Sequence, residues 1–118
     1  MNAFSQIPPR FPEGRAAVSG QPDLWCTYAA IRSLAWVDQL ETVDQPLIRR
    51  YIESRLNRDG GYAWSKGMPS DAWATFYCTE TLNDLGALEQ VSEKTEPWLD
   101  GLWDGHAYAM WAGQGADV

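Results

Sequence analysis

Three residues of this sequence have side chains that could move protons in a reaction. Asp23 and Asp71 each stand directly before an apolar run, and His106, the only histidine, lies in the segment WDGHAY. A carboxylate can act as a general acid or base, and an imidazole titrates near neutral pH. The sequence therefore offers Asp23, Asp71 and His106 as candidate catalytic residues.

Each of these candidates also has a structural interpretation. Aspartates at helix starts commonly cap free N–H groups and suit the positive end of the helix dipole, and we favour this interpretation for Asp23 and Asp71. His106 has only Asp104 as an obvious companion and no nucleophile near it in the sequence, which is typical of a loop histidine. A cavity with convergent carboxylates would instead favour catalysis.

The elements that must position these residues follow an irregular arm. Residues 1–22 contain four prolines and two glycines, a density of helix breakers that predicts an arm or extended loop. A first helix is predicted from about Asp23 to Leu40 and a third from about Asp71 to Leu88. Both are apolar nearly all round, which predicts buried inner helices.

Two outer helices alternate with these inner ones. The second helix begins at Pro46, with Asp44 as its cap, and has one apolar stripe and one polar face. It is expected to end at Arg58–Asp59, with one of the next two glycines in the left-handed conformation that caps a helix. The shorter fourth helix opens at Pro97, and Thr95 is expected to cap it.

The chain repeats itself at the spacing that separates Asp23 from Asp71. Positions 25, 27, 34 and 40 carry Trp, Thr, Leu and Leu, and the equivalent positions 73, 75, 82 and 88 carry the same residue types. The predicted domain over 23–118 therefore consists of two helical hairpins, about 23–64 and about 71–111.

The corner between the hairpins reads Asp59, Gly60, Gly61, Tyr62, and a loop then leads to a "D...TF" start of the next apolar helix. The residues of that start are Asp71, Thr75 and Phe76, and those of the earlier copy are Asp23, Thr27 and Tyr28. This pattern resembles the repeat of the protein prenyltransferase β-subunits and the squalene/terpene cyclases, over roughly residues 11–111. The resemblance implies an all-α fold of the α/α-toroid type, whose inner helices line an aromatic-rich cavity for an isoprenoid chain.

The residues that carry the chemistry of those enzymes do not recur here. The prenyltransferases hold zinc with an Asp, a Cys two residues later and a His from a later inner helix. In this chain Trp25 and Trp73 stand two residues after the aspartates, Cys26 is one place too far, and neither inner helix contains a histidine. The Asp-x-Asp-Asp acid motif of the cyclases is also missing. We therefore expect no metal and no cofactor.

The two cysteines are the remaining possible nucleophiles. In the hairpin repeat Cys26 aligns with Ala74, and Cys78 aligns with Ala30. Small apolar counterparts predict that each thiol is buried and packs as a small hydrophobic side chain. No basic neighbour that would lower a thiol pKa is visible in the sequence.

Composition and charge exclude several classes of function. The chain of 118 residues has a net charge of −7, from 9 basic and 16 acidic side chains, so we expect it to bind neither nucleic acid nor anionic membranes. The N-terminus MNAFSQIPPRF lacks the pattern of a signal peptide, and no apolar stretch is long enough to span a bilayer. We expect a cytoplasmic protein without membrane insertion.

Seven tryptophans in 118 residues are a large share, which indicates that some face a ligand cavity or a partner chain; the alternative is that all of them pack in the core. Two hairpins cannot close a ring, which favours a homo-oligomer; the alternative is that the arm and the tail cover the apolar faces. The expected ligand or interface residues are Trp25, Tyr28, Trp73, Phe76, Tyr77 and Trp103.

We therefore predict a non-catalytic prenyltransferase-like or cyclase-like module that holds an apolar, isoprenoid-like small molecule or a partner protein. The alternative is an enzyme, or a subunit of a split prenyltransferase or cyclase, that acts on an isoprenoid substrate. Its site would then be assembled across chains from Asp23, Asp71 or His106.

Overall fold

The computed structural model describes residues 23–112, which contain four α-helices and two short 3₁₀ helices. The α-helices are α1 (Leu24–Trp36), α2 (Gln45–Glu53), α3 (Ala72–Asp84) and α4 (Thr95–Asp100). The only β-structure in this range is three isolated bridges, so the prediction of an all-α fold is confirmed for residues 23–112. The predicted arm over 1–22 and residues 113–118 lie outside the described residues.

The inner helices α1 and α3 start in the same way, at equivalent positions of the two hairpins. Oδ1 of Asp23 accepts a hydrogen bond from the N–H of Cys26 at 2.7 Å, and Oδ1 of Asp71 accepts one from the N–H of Ala74 at 2.7 Å. The backbone of both aspartates is extended, as is usual for a residue that caps a helix. The prediction that these two aspartates are N-caps is confirmed.

Both inner helices end earlier than the predicted Leu40 and Leu88. The chain passes through the left-handed region at Asp38 (φ 58°) and at Gly86 (φ 67°), which are again equivalent positions of the repeat. The predicted last residues begin the 3₁₀ helices Leu40–Thr42 and Leu88–Gln90 instead. Leu40 still packs against the core from its 3₁₀ helix, whereas Leu88 is 53% exposed.

The outer helix α2 confirms one prediction and corrects another. Oδ1 of Asp44 accepts a hydrogen bond from the N–H of Leu47 at 3.1 Å, and Pro46 lies in the first turn, as predicted. The helix ends at Glu53, however, and not at Arg58–Asp59. The residues that follow form turns and an isolated bridge, so the polar run of the sequence was wrongly read as helix.

The short helix α4 begins two residues before the predicted Pro97. Lys94 occupies the N-cap position without a side-chain hydrogen bond. Thr95, predicted to cap this helix, instead donates from its hydroxyl to the carbonyl oxygen of Gly60 at 2.7 Å. That prediction was wrong because Thr95 is buried against the corner of the first hairpin.

The core lies between the two hairpins, where α1 packs against α3. Its buried members are Leu24, Ile31, Val43, Ile48, Ile52, Tyr62, Ala74, Tyr77, Cys78, Leu82, Leu85 and Ala87. The prediction that the inner helices are buried all round was wrong. Trp25 is 55% exposed and Trp73 is 53% exposed. Within residues 23–112, a stack of two hairpins covers only part of each inner helix.

An ion-pair network also joins α1 to α3. Nη1 of Arg32 lies 2.8 Å from Oε1 of Glu80, and Nη2 lies 3.0 Å from Oδ1 of Asp84. The guanidinium group also lies over the ring of Trp36 at 5.4 Å.

None of the helices in residues 23–112 is both long enough and apolar enough to cross a lipid bilayer.

Candidate functional site

Six aromatic side chains meet where α1 lies beside α3. We call Trp25, Tyr28, Trp64, Trp73, Phe76 and Tyr77 the aromatic cluster. Tyr77 is at its centre, with its ring centroid 4.8 Å from that of Tyr28 and 5.4 Å from that of Trp25. Trp73 stacks on it at 5.8 Å, and Trp64 meets it edge-on at 5.9 Å. Five of the six residues predicted for a ligand or an interface therefore lie together.

The cluster forms because α1 and α3 run parallel and in register. Tyr28 and Phe76 occupy equivalent positions of the two hairpins, and their ring centroids are 5.8 Å apart. Arg32 and Glu80 are also equivalent, and they are paired. Equivalent residues of the two hairpins therefore touch at two levels along the helices.

The cluster has a buried floor and an open rim. Tyr77 is buried, whereas Trp25, Trp73 and Phe76 are exposed to solvent. Large apolar side chains that remain exposed side by side are typical of ligand or protein contact sites. The arrangement can therefore hold an apolar group against several ring faces at once.

The two helices that carry most of the cluster bring negative charges to it. The capping carboxylates Asp23 and Asp71 lie two residues before Trp25 and Trp73. Burial, the neighbouring Tyr28 and the Asp71 carboxylate all raise the pKa of Tyr77. α3 has no basic residue, and the one basic residue of α1, Arg32, is paired with acidic side chains.

The other predicted site residues lie elsewhere. His106 is exposed in the turn after α4, where its backbone N–H donates to Oδ1 of Asp104 at 2.8 Å. Within residues 23–112 no hydrogen bond or ion pair joins His106 to Asp23 or Asp71. Trp103 does not join the aromatic cluster, because its ring packs on that of Tyr108 at 5.1 Å.

Trp64 belongs to the cluster although it was not among the predicted ligand residues. It lies in the loop that leads from the Asp-Gly-Gly corner to α3, and it contacts Tyr77 from that loop. The corner motif, in which Tyr62 and Trp64 follow two glycines, was the available signal. The contact of Trp64 with Tyr77 could not be predicted, because the path of the loop is not visible in the sequence.

The Asp-Gly-Gly corner is held by a polar network. Oδ1 of Asp59 accepts hydrogen bonds from the N–H of Gly61 at 2.9 Å and from Oγ of Ser70 at 2.8 Å. Nδ2 of Asn57 donates to the same serine oxygen at 2.9 Å. Because Ser70 is buried and its hydroxyl serves this network, the serine and the aspartate act as structural groups.

Gly60 does adopt a positive φ, of 100°, but it does not cap α2. It lies well beyond Glu53, the last residue of that helix. It turns the corner between Leu56 and Tyr62, which form an isolated antiparallel bridge. The prediction of a glycine helix cap was therefore wrong, because the helix had already ended.

An open groove of about 670 Å³ lies beside this corner. It is lined by polar and apolar residues, among them Asn57, Asp59, Met68, Ser70 and Trp98. No member of the aromatic cluster borders it. The groove and the cluster are therefore two separate surfaces.

Residues 23–112 contain no group of three or more His, Cys, Asp and Glu side chains that could hold a metal ion.

Comparison with protein-family models finds no match, and no curated protein is significantly similar to the chain. The resemblance to the toroid repeat therefore stays a prediction that rests on the residues of this sequence.

The two cysteines differ in exposure, contrary to the prediction that both are buried. Cys78 is buried in the core, but Cys26 is exposed at the start of α1. Sγ of Cys26 lies 3.7 Å from Oδ2 of Asp23. Partial burial and the negative charge of Asp23 raise the pKa of Cys26, and burial raises that of Cys78.

We expect the native protein to react with a thiol reagent such as Ellman's reagent at Cys26 alone. Because the raised pKa keeps the Cys26 thiol protonated near pH 8, its reaction should be slower than that of free cysteine. Asp23→Asn retains a helix cap but removes the charge, so the reaction should become faster. Counting the thiols that react before and after unfolding checks this, and two reactive thiols in the native protein would contradict it.

Proposed function

We propose that this chain is a non-catalytic binding module that holds an uncharged, apolar ligand of the isoprenoid type on the aromatic cluster. The observation that carries the proposal is the open rim of Trp25, Trp73 and Phe76 around the buried ring of Tyr77. An extended hydrocarbon can lie across such a surface and remove several ring faces from water. The recurrence of the helix caps and helix ends at equivalent positions of the two hairpins supports a prenyltransferase-like repeat.

The electrostatics favour an uncharged ligand over a diphosphate. Asp23 and Asp71 place two carboxylates at the end of the helices where Trp25 and Trp73 lie. The guanidinium group of Arg32 is occupied by two carboxylates and is not free to bind a phosphate. An anion at the cluster would therefore be repelled without a compensating partner on α1 or α3.

A binding role is favoured over the enzyme alternative for a specific reason. Asp23 and Asp71 use their carboxylates to cap α1 and α3, and His106 lies in the turn after α4. No observation among the described residues favours their assembly into one catalytic site. A reducing compartment such as the cytoplasm suits the module, because Cys26 and Cys78 are both free thiols.

We expect Trp73→Ala to weaken the binding of geraniol, an isoprenoid alcohol, about tenfold. An aromatic face contributes about 0.5–1.5 kcal/mol beyond its buried area, and about 1.4 kcal/mol corresponds to a factor of ten. Isothermal titration calorimetry with the purified chain measures this. Geranyl diphosphate should bind more weakly than geraniol, because of the two carboxylates.

Trp111→Ala is the matched control. Trp111 is 46% exposed, close to the 53% of Trp73, but it borders the separate groove and lies outside the aromatic cluster. We expect this variant to bind geraniol as the unmodified chain does. The proposal fails if the unmodified chain binds no geraniol, or if the two variants lose affinity equally.

A further inference from the structure

The two hairpins end in corners that resemble each other. The first corner spans residues 57–62 and the second spans residues 103–108. Each contains an aspartate, Asp59 or Asp104, whose Oδ1 accepts the N–H of the residue two positions on. The glycine after each aspartate has a positive φ, of 100° in the first corner and 105° in the second.

The first corner is covered by the start of α4. The hydroxyl of Thr95 donates to the carbonyl oxygen of Gly60 at 2.7 Å. A Cβ added to Gly60 would collide with the carbonyl group of Lys94. The ring of Trp98 lies so close to Gly61 that a Cβ there would come within 2.7 Å of it. Trp98 itself is only 8% exposed, so this contact buries a large apolar surface.

The second corner has no such cover among the described residues. A Cβ added to Gly105 would meet nothing within 4 Å. The rings of Trp103 and Tyr108, which pack on each other at this corner, are both exposed. No part of residues 23–112 therefore covers, in the second corner, the surface that receives a helix start in the first.

The matching helix start is also uncovered within residues 23–112. α2 begins with Asp-Gln-Pro-Leu, residues 44–47, and the start of α4 has Thr-Glu-Pro-Trp, residues 95–98. Leu47 thus holds the position after the proline that Trp98 holds in α4. Its side chain is 40% exposed, and it covers no corner within residues 23–112.

We propose that a second copy of this chain occupies the second corner. The start of its α2, with Leu47, packs on Trp103 and Tyr108 as Trp98 packs on the first corner. The second copy is then related to the first copy as the second hairpin is related to the first. This arrangement places α1 of the second copy beside α3 of the first copy. The contact continues the interface already formed inside the chain, and it is head-to-tail, because each copy contributes a different surface.

The test uses two variants of the full chain that each block one of these surfaces. Tyr108→Glu places a charge on the second corner, and Leu47→Glu places one on the start of α2. We expect light scattering coupled to size exclusion to give a mass above that of one chain for the unmodified protein and a monomer for each variant. An equimolar mixture of the variants should form a dimer and nothing larger, because it keeps one intact pair of surfaces.

Several results would overturn the proposal. A monomeric unmodified chain at every concentration would mean that the arm or the tail covers these surfaces. A symmetric dimer that uses only one of these surfaces would be blocked by only one of the variants. Variants that stay monomeric when mixed would also exclude a head-to-tail contact. Met68→Glu, at an exposed side chain outside both surfaces, is the control and should leave the mass unchanged. Circular dichroism on thermal unfolding verifies that each variant is folded.

Discussion

Gly60→Ala is expected to lower the free energy of unfolding by about 3 kcal/mol. A φ of 100° is unfavourable for any residue with a Cβ and costs about 1–2 kcal/mol. The added methyl group would also collide with the carbonyl group of Lys94, which is backbone and cannot rotate away. Overpacking of this kind costs about 1–3 kcal/mol more.

This loss should lower the melting temperature by about 10 °C, since about 1 kcal/mol corresponds to roughly 4 °C in a domain of this size. Thermal unfolding and urea unfolding followed by circular dichroism measure it. Part of the loss should come from the separation of α4 from the first corner, because the hydroxyl of Thr95 binds the carbonyl oxygen of Gly60.

Gly105→Ala is the matched control within the same chain. Gly105 has nearly the same φ, 105°, and also follows an aspartate, but an added Cβ would meet nothing within 4 Å. This variant should lose only the backbone cost, about 1–2 kcal/mol. If both variants lose the same stability, α4 does not pack on the first corner as described.

Arg32→Leu is expected to lower the free energy of unfolding by about 3 kcal/mol at neutral pH. Removing one partner of a buried ion pair costs about 3–5 kcal/mol, because a charge is left buried without compensation. Here the Asp84 side chain is only 4% exposed, and Glu80 loses the same partner. Arg32 itself is partly exposed, which places the effect at the lower end of that range.

Arg49→Leu is the control for this substitution. Nη1 of Arg49 lies 3.8 Å from Oε1 of Glu89, whose side chain is largely exposed. An exposed pair of this kind contributes about 0–1 kcal/mol. Urea unfolding of both variants should therefore separate the buried network from the surface pair. Equal losses would mean that Asp84 does not depend on Arg32.

The cost of Arg32→Leu should depend on pH. Burial raises the pKa of Asp84, Arg32 lowers it, and Glu80 raises it, with a net increase over the usual value. The carboxyl group of Asp84 is therefore protonated more readily in the folded protein than in the unfolded chain. Its ionisation opposes folding as the pH rises through the raised pKa. Without Arg32 this pKa rises further, and the stability deficit should shrink as the pH falls from 7 towards 5. A deficit that does not change with pH would contradict this account.

Local signals predicted the four helices and the starts of α1, α2 and α3. The caps Asp23, Asp71 and Asp44 were predicted correctly, because a capping carboxylate acts on an N–H three residues away. Helix ends were predicted less well. The apolar pattern of the first and third helices ran on to Leu40 and Leu88, although the backbone left the helix one turn earlier.

Contacts between distant residues could not be predicted in this way. Thr95 was assigned to a helix cap, but it binds Gly60, which is 35 residues away in the chain. The two cysteines were both expected to be buried, but Cys26 lies on the part of α1 that nothing in residues 23–112 covers. Trp103 was grouped with the ligand residues by its type alone, whereas its position after α4 pairs it with Tyr108.

The sequence by itself determined the helical class, the starts of α1, α2 and α3, and the recurrence of the hairpin pattern. These depend on the spacing of apolar residues and on side chains that act within one helical turn. Only the tertiary structure decided that the parallel packing of α1 and α3 gathers four other predicted aromatic residues around Tyr77. It also decided which corner is covered and which is open. The physical reason is that burial depends on how many hairpins are stacked and on which surfaces meet, and neither is encoded in any single stretch of sequence.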